Sequence, residues 1–178
     1  AGRSLNAMLY INPKYLQRSE RNTFRDFTRY HFGGNLTFQQ RFKRHHNIGG
    51  SVLIGLDEAY QDGAILFYSL ENGNRGTELQ DDKREGANNL GLFLQAQADF
   101  GEHWYALAGA RLDEITYYYD DHIDPDLNDR KTFRALTPKA GLAYRHSPHH
   151  TLYFNLGGGV EVPAGNETNP PNTFGQDT

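Results

Sequence analysis

The chain of 178 residues has no cysteine, one methionine, one tryptophan and no long apolar run. Without cysteine there are no disulfides, no thiolate metal sites and no thiol nucleophile. The longest apolar stretch, around Leu90–Leu94, runs about five residues where a spanning helix takes about 20, so a helical membrane protein is excluded. The net charge of −4 provides no basic field, and no nucleic-acid partner is expected. Disorder is equally disfavoured, because aromatic residues make up 13% of the chain and the net charge is small. The length suits one domain. Two classes remain: a soluble β protein, and a transmembrane β-barrel, whose strands expose only alternate residues to lipid and so score low in hydropathy.

What the sequence has is alternation. Leu90, Leu92, Leu94, Ala96, Ala98 and Phe100 alternate with Gly91, Phe93, Gln95, Gln97 and Asp99. The same period of two runs through Trp104–Leu112, Leu136–Tyr144 and Leu152–Val160, with apolar residues at the even positions. Weaker versions occur at Leu36–Phe42 and Val52–Leu56, and at Leu5–Ile11 on odd positions. Period two over ten or so residues means long strands with one apolar face. The expectation is an all-β, antiparallel transmembrane β-barrel segment of about seven strands, near 3–12, 23–44, 48–60, 87–100, 104–119, 133–146 and 151–162. Even residues of 90–160 should face outward and odd ones inward.

The connections are unequal. His45–Asn47, Gly101–His103 and Ser147–His150 read as tight turns, whereas Pro13–Asn22, Gln61–Gly86 and Asp121–Thr132 read as long loops. Short periplasmic turns and long extracellular loops are the pattern of outer-membrane barrels. Phe42, Phe100, Trp104, Tyr144 and Tyr153 lie beside the tight turns, and Tyr60, Tyr117–Tyr119 and Phe133 lie at the other end, as two interfacial belts would. The odd strand count and the tail from Asn166 to Thr178, which reads as the start of another loop, lead to the expectation that residues 1–178 are part of a single, larger barrel domain.

Four blocks in order resemble the barrel of TonB-dependent outer-membrane receptors: G-L-F-x-Q from Gly91, W-x-x-x-A-G-x-R-x-D from Trp104, T-P-K-x-G-L-x-Y-R from Thr137, and L-Y-x-N from Leu152 followed by V-x-V-P-x-x-N-E from Val160. The resemblance implies a bacterial outer-membrane location and uptake of a small-molecule ligand, a metal chelate such as a ferric siderophore, without enzymatic chemistry and with no cofactor of the protein's own. It also implies outer-membrane lipid and lipopolysaccharide as surroundings, and a TonB complex engaged through parts of a receptor, including the plug, that these residues do not supply. The alternation alone leaves two other readings open: a complete small outer-membrane barrel, porin-like or an adhesin, and a soluble lipocalin-like binding barrel with its apolar face inward.

No catalytic or metal-binding residue is expected. His45, His46, His103, His146, His149 and His150 crowd the tight turns, but neighbouring turns on one rim are about 10 Å apart, so solvated turns are the plainer reading. Asp120, Asp121, Asp124, Asp126 and Asp129 lack the glycine and distal glutamate of a calcium loop. His146–Ser147 has no positioned carboxylate to complete a triad. The candidate ligand-binding residues are Arg21, Arg25, Arg29, His31, Tyr117 and Tyr119. The arginines recur every four residues, an even step that puts them on one face of a continuous strand, toward the lumen with His31 unless a bulge at Gly33–Gly34 flips the phase. Tyr117 and Tyr119 are odd and lie at the same end. Guanidinium forks beside aromatic rings suit an anionic, oxygen-rich chelate.

Overall fold

A computed structural model of the chain describes residues 2–162. Seven antiparallel strands form one meander in sequence order: β1 (Gly2–Glu20), β2 (Thr23–His45), β3 (Ile48–Glu71), β4 (Asn74–Phe100), β5 (Trp104–Asp121), β6 (Asp129–Ser147) and β7 (His150–Gly157). A single 3-10 turn, Pro125–Leu127, sits between β5 and β6. Among the described residues the sheet is open, with β1 and β7 each paired on one side.

The strands outrun their expected lengths at one end. Pro13–Glu20 continues β1, and Gln61–Gly86 is the tip of a hairpin in which β3 and β4 stay paired up to Glu71 and Asn74. That tip closes on Asn72 and Gly73, both at positive φ, the two-residue turn whose twist matches paired strands. The loop after β5 shrinks to residues 122–128. Both rims therefore carry mostly tight turns, and the asymmetry lies in how far the hairpins project. β7 ends at Gly157, short of the expected 162. The carbonyl of Pro138 on β6 accepts from Gly158 N, so the nitrogen of Pro138, which carries no hydrogen, faces the same neighbour and the ladder stops there. The tail from Asn166 lies outside the described residues.

Register fixes the faces. From β2 to β7 even residues pair with even ones, as in Phe38 with Ile54, Leu92 with Leu112 and Trp104 with Tyr144, except where the register shifts beyond Phe42, Phe67 and Arg145 at the strand ends. β1 is offset by one, so its odd residues Leu5, Ala7, Leu9 and Ile11 join the even face. The pairing of β2 with both neighbours passes through Gly33 and Gly34 unbroken, so no bulge flips the phase there. The apolar face is the exposed one, with Leu92 at 46% and Leu142 at 45%, and Ala108 is exposed as well. The odd face is concave and polar. At the tight-turn end it bounds an open hollow of about 860 Å³ lined by Gln39, Arg41, Ser51, Gln97, Asp99 and Arg145, among others. Where this face lacks a side chain, a ring fills the gap: Phe93 lies against Gly55, its register partner across β3 and β4.

The apolar face carries its own ruler. The outward apolar band ends at Tyr15 on β1, Tyr30 on β2, Tyr60 on β3 (where Glu58 alone interrupts it), Leu90 on β4, Leu112 on β5 and Leu136 on β6. Gln17, Thr28, Asp62, Asn88, Glu114 and Arg134 follow them. Relative to the register, this boundary slips about 1.6 residues per strand, or about 5 Å along a strand for each 4.8 Å or so across, and so cuts the sheet at about 45°. A level membrane surface crossing tilted barrel strands produces that slope. The two expected belts divide accordingly. Phe42, Phe100, Trp104 and Tyr144 face outward near the tight turns, with the Trp104 and Tyr144 rings 4.7 Å apart. Tyr153 instead pairs with Ala143 and shares the concave face. At the far end Tyr60 and Tyr118 face outward, whereas Tyr117, Tyr119 and Phe133 face inward.

Candidate functional site

On the concave face two regions hold charge differently. At mid-height Arg111 of β5 reaches Asp57 of β3 with both terminal nitrogens, at 2.6 and 2.7 Å, and Asp113 with Nε at 2.8 Å. Gly91, on β4 between them, leaves the room: a Cβ there would meet the guanidinium and the Asp57 carboxylate. The guanidinium is clamped between two carboxylates and has no fork left over.

Beyond the apolar boundary the arrangement reverses. Lys14 of β1 is the register partner of Arg29 on β2, and Arg18 is that of Arg25. Two cation–cation pairs thus sit four residues apart on the concave face of β1 and β2. Like charges directly opposite in a sheet are destabilising. The carboxylates available are few: Glu20 lies 2.7 Å from Arg18 and 3.5 Å from Arg25, and Glu85 of β4 lies 3.5 Å from Arg29. Arg29 reaches Glu85 across β3, past Gly63, where β2 approaches so closely that a Cβ would meet the Thr28 carbonyl. The Nε atoms of Arg25 and Arg29 are shut off from solvent and have no hydrogen-bond partner. Two aromatic rings support the row. The Phe27 ring carries Arg29 at 5.0 Å and Lys14 at 5.7 Å, and the Phe67 ring carries Arg25 at 4.7 Å and Lys83 at 5.5 Å. Lys83 also lies 5.8 Å from the Tyr119 ring, which links β5 to the row.

The expected site residues are therefore partly assembled. Arg25 and Arg29 share the wall, and Tyr119 joins it through Lys83. His31 is on the same face, opposite Asn12 and Gln61. Tyr117 faces inward with its ring 6.3 Å from Phe133, away from the arginines. Arg21 does not join: it lies in the β1–β2 turn at φ 55°, so the strand that would carry it begins only at Thr23. Lys14, Arg18, Phe27, Phe67 and Lys83 complete the wall and were not among the candidates. Lys14 and Arg18 show the same four-residue step as the arginines, but they fell in a stretch read as loop.

The outer face beyond the boundary is held by a separate network. Arg84 donates from Nε to Asp62 at 2.8 Å and makes a second bond from its terminal nitrogen. Tyr118 donates to the same carboxylate oxygen as Arg84 Nε, at 2.7 Å, and lies 2.8 Å from the Tyr60 hydroxyl. Arg84 holds the Asp62 carboxyl below its ordinary range, and Tyr118 adds to this. Burial pushes the Tyr118 phenol well up. In the β5–β6 loop, Asp121 accepts from the backbone of Ile123 and Asp124 at 2.9 and 2.8 Å and from the Tyr119 hydroxyl at 3.1 Å. Burial alone would raise its pKa, but these donors outweigh it and hold the carboxyl below the ordinary range. Asp121, with Asp124 accepting from Asp126 N at 3.3 Å, thus builds the turn itself. At the other rim, His103 bonds the Arg145 carbonyl at 2.7 Å and His150 bonds Ser147 at 3.0 Å.

Comparison with known proteins gives a consistent answer. The family model described as "TonB dependent receptor-like, beta-barrel" matches residues 3–178. No curated protein matches the chain. Among solved structures, the ferric citrate transporter FecA in its unliganded form superposes with a TM-score of 0.72 at 18% identity, over 86% of this chain and 24% of that one. The ferric-catecholate import receptor Fiu from E. coli K12 in its open form gives 0.59 at 12% identity, over 75% of this chain and 26% of its own. The chain spans about a quarter of the length of these structures. A lipocalin-like reading is set aside, the outward apolar face is the membrane face of a bacterial outer-membrane protein, and the chain belongs to the β-barrel family of TonB-dependent receptors.

Proposed function

We propose that residues 1–178 belong to a single barrel domain of a receptor that binds and imports an anionic metal chelate, and that the β1–β2 lumen wall is part of its binding site. The observation that carries this reading is the pair of facing cations, Lys14 with Arg29 and Arg18 with Arg25. A wall that needed only to stand would bring carboxylates within short reach of these groups, as Asp57 and Asp113 come within 2.6–2.8 Å of Arg111. An oxyanion would relieve the repulsion and engage the forks that Glu20 and Glu85 reach only at 3.5 Å. The names of the similar structures, a ferric citrate transporter and a ferric-catecholate import receptor, support a metal chelate as cargo. His31 and Tyr119 border the same wall, Tyr117 lies further around it, and Arg21 stands at the rim above. The metal travels within its chelate, so the wall needs no metal ligands of its own. Passage across the membrane relies on a TonB complex acting on the whole receptor, in contact with outer-membrane lipid and lipopolysaccharide. The test is chelate uptake by cells expressing the full-length receptor with Arg25→Ala and Arg29→Ala together. Uptake should fall at unchanged surface level, and unchanged uptake would remove the wall from the site.

A further inference from the structure

We infer that Phe27 and Phe67 are supports for cations rather than stacking platforms for the ligand, and that the wall consequently selects chelates bearing free carboxylate oxygens over chelates presenting aromatic rings. This rests on the reading of the β1–β2 wall as a binding site. Each ring is already engaged by two cations, Phe27 by Arg29 and Lys14, and Phe67 by Arg25 and Lys83. A cation over a ring is drawn to the face by the ring's quadrupole, the same face an aromatic ligand would need. Meanwhile a guanidinium resting on a ring keeps its in-plane N–H groups, and those match the two oxygens of a carboxylate.

The strands explain why the rings fall where they do. Arg25 and Phe67 are register partners across β2 and β3, and Arg25, Phe27 and Arg29 alternate along the concave face of β2. Each support is thus directly across from its arginine or two residues along on the same face, and diagonal to its lysine on the neighbouring strand, all positions from which side chains reach one another. The rings hold long, flexible side chains in place before a ligand arrives, which lowers the ordering cost of binding. Phe27 and Phe67 are in this sense positioning residues: they act on a ligand through Arg29 and Arg25.

The experiment uses the purified full-length receptor and two probes, the ferric citrate complex and the ferric complex of catechol, whose ligands carry aromatic rings and no carboxylate. In the unaltered protein the citrate complex should displace the catecholate complex at equal concentration. Phe67→Leu and Phe27→Leu, which keep apolar bulk and remove the ring face, should weaken citrate binding about tenfold, and Phe67→Tyr should restore it. The catecholate complex should be indifferent to all three. Tighter binding of the catecholate complex by the unaltered protein, or its selective loss in Phe67→Leu, would show that the rings stack ligand and overturn the inference while leaving the wall as the site. If instead Arg25→Ala with Arg29→Ala changes neither probe, the reading of the wall itself fails. The competition needs no variant, so the inference is decided even where a substitution prevents folding.

Discussion

Arg111 and Arg29 lie on the same concave face of the same sheet and face opposite circumstances. Arg111 sits between two carboxylates that use its whole fork. Arg29 looks across at Lys14, with its nearest carboxylate 3.5 Å away on the next strand but one and its Nε without a partner. The first arrangement is complete without a ligand and the second is not. The comparison teaches that charge on a barrel wall is informative about binding only where the wall itself leaves it uncompensated. Satisfied charge at mid-height ties strands together, and the less satisfied charge beyond the membrane boundary is what marks the proposed binding wall.

The sharpest way to break this picture is to invert a face. Ala108→Arg and Leu142→Arg place charge on the outward apolar band and should each cost about 2–4 kcal/mol of unfolding free energy in lipid vesicles. Gln95→Arg, on the concave face, should cost far less, and equal costs would contradict the assigned faces. Next in size is Arg111→Ala. It leaves Asp57 and Asp113 confronting each other, and should cost about 2–3 kcal/mol, less than the ~3–5 kcal/mol of a fully buried broken pair because a third of the side chain is exposed. Chelate affinity should be changed little by it.

Smaller again is the outer network. Asp62→Asn should cost about 1 kcal/mol, since Arg84 is half exposed and screened. The pH dependence follows from the same residue. The folded-state pKa of Asp62 is depressed, so the stabilisation is fully present above the ordinary carboxylate range near 4 and is lost as pH falls through the folded-state value. Asp121 behaves in the same way. Unfolding midpoints measured on the acid side should fall with pH in the unaltered protein, and less steeply in Asp62→Asn.

The sequence makes one half of the molecule plain and hides the other, and the membrane boundary divides them. Below it, one face meets lipid and the other meets water, so Leu90–Phe100 and Trp104–Leu112 alternate cleanly and their register parity follows. Beyond it both faces are wet. Residues 61–86 lose the period, although they stay paired as strands, and the dipeptide Asn72–Gly73 was the remaining local signal of a hairpin. The same blindness split the candidate site. Arg25 and Arg29 were visible in a strand, but Lys14 and Arg18 lay in an apparent loop, and nothing along the chain indicates that Phe67 and Lys83 come to lie beside Arg25. Arg21 fitted the spacing and fails only because the chain turns there at positive φ. Pro138 is the converse case, a visible residue whose effect appears once its neighbour is known.

The central claim is that the cations of β1 and β2 are held for a ligand and not for the fold. Unfolding and binding of the ferric citrate complex, measured together on the full-length receptor carrying Arg29→Ala, test it most directly. The account predicts stability unchanged or raised, because a repulsion with Lys14 is removed, and affinity lowered about tenfold or more. A loss of stability with affinity intact would make Arg29 a wall residue like Arg111 and contradict the account.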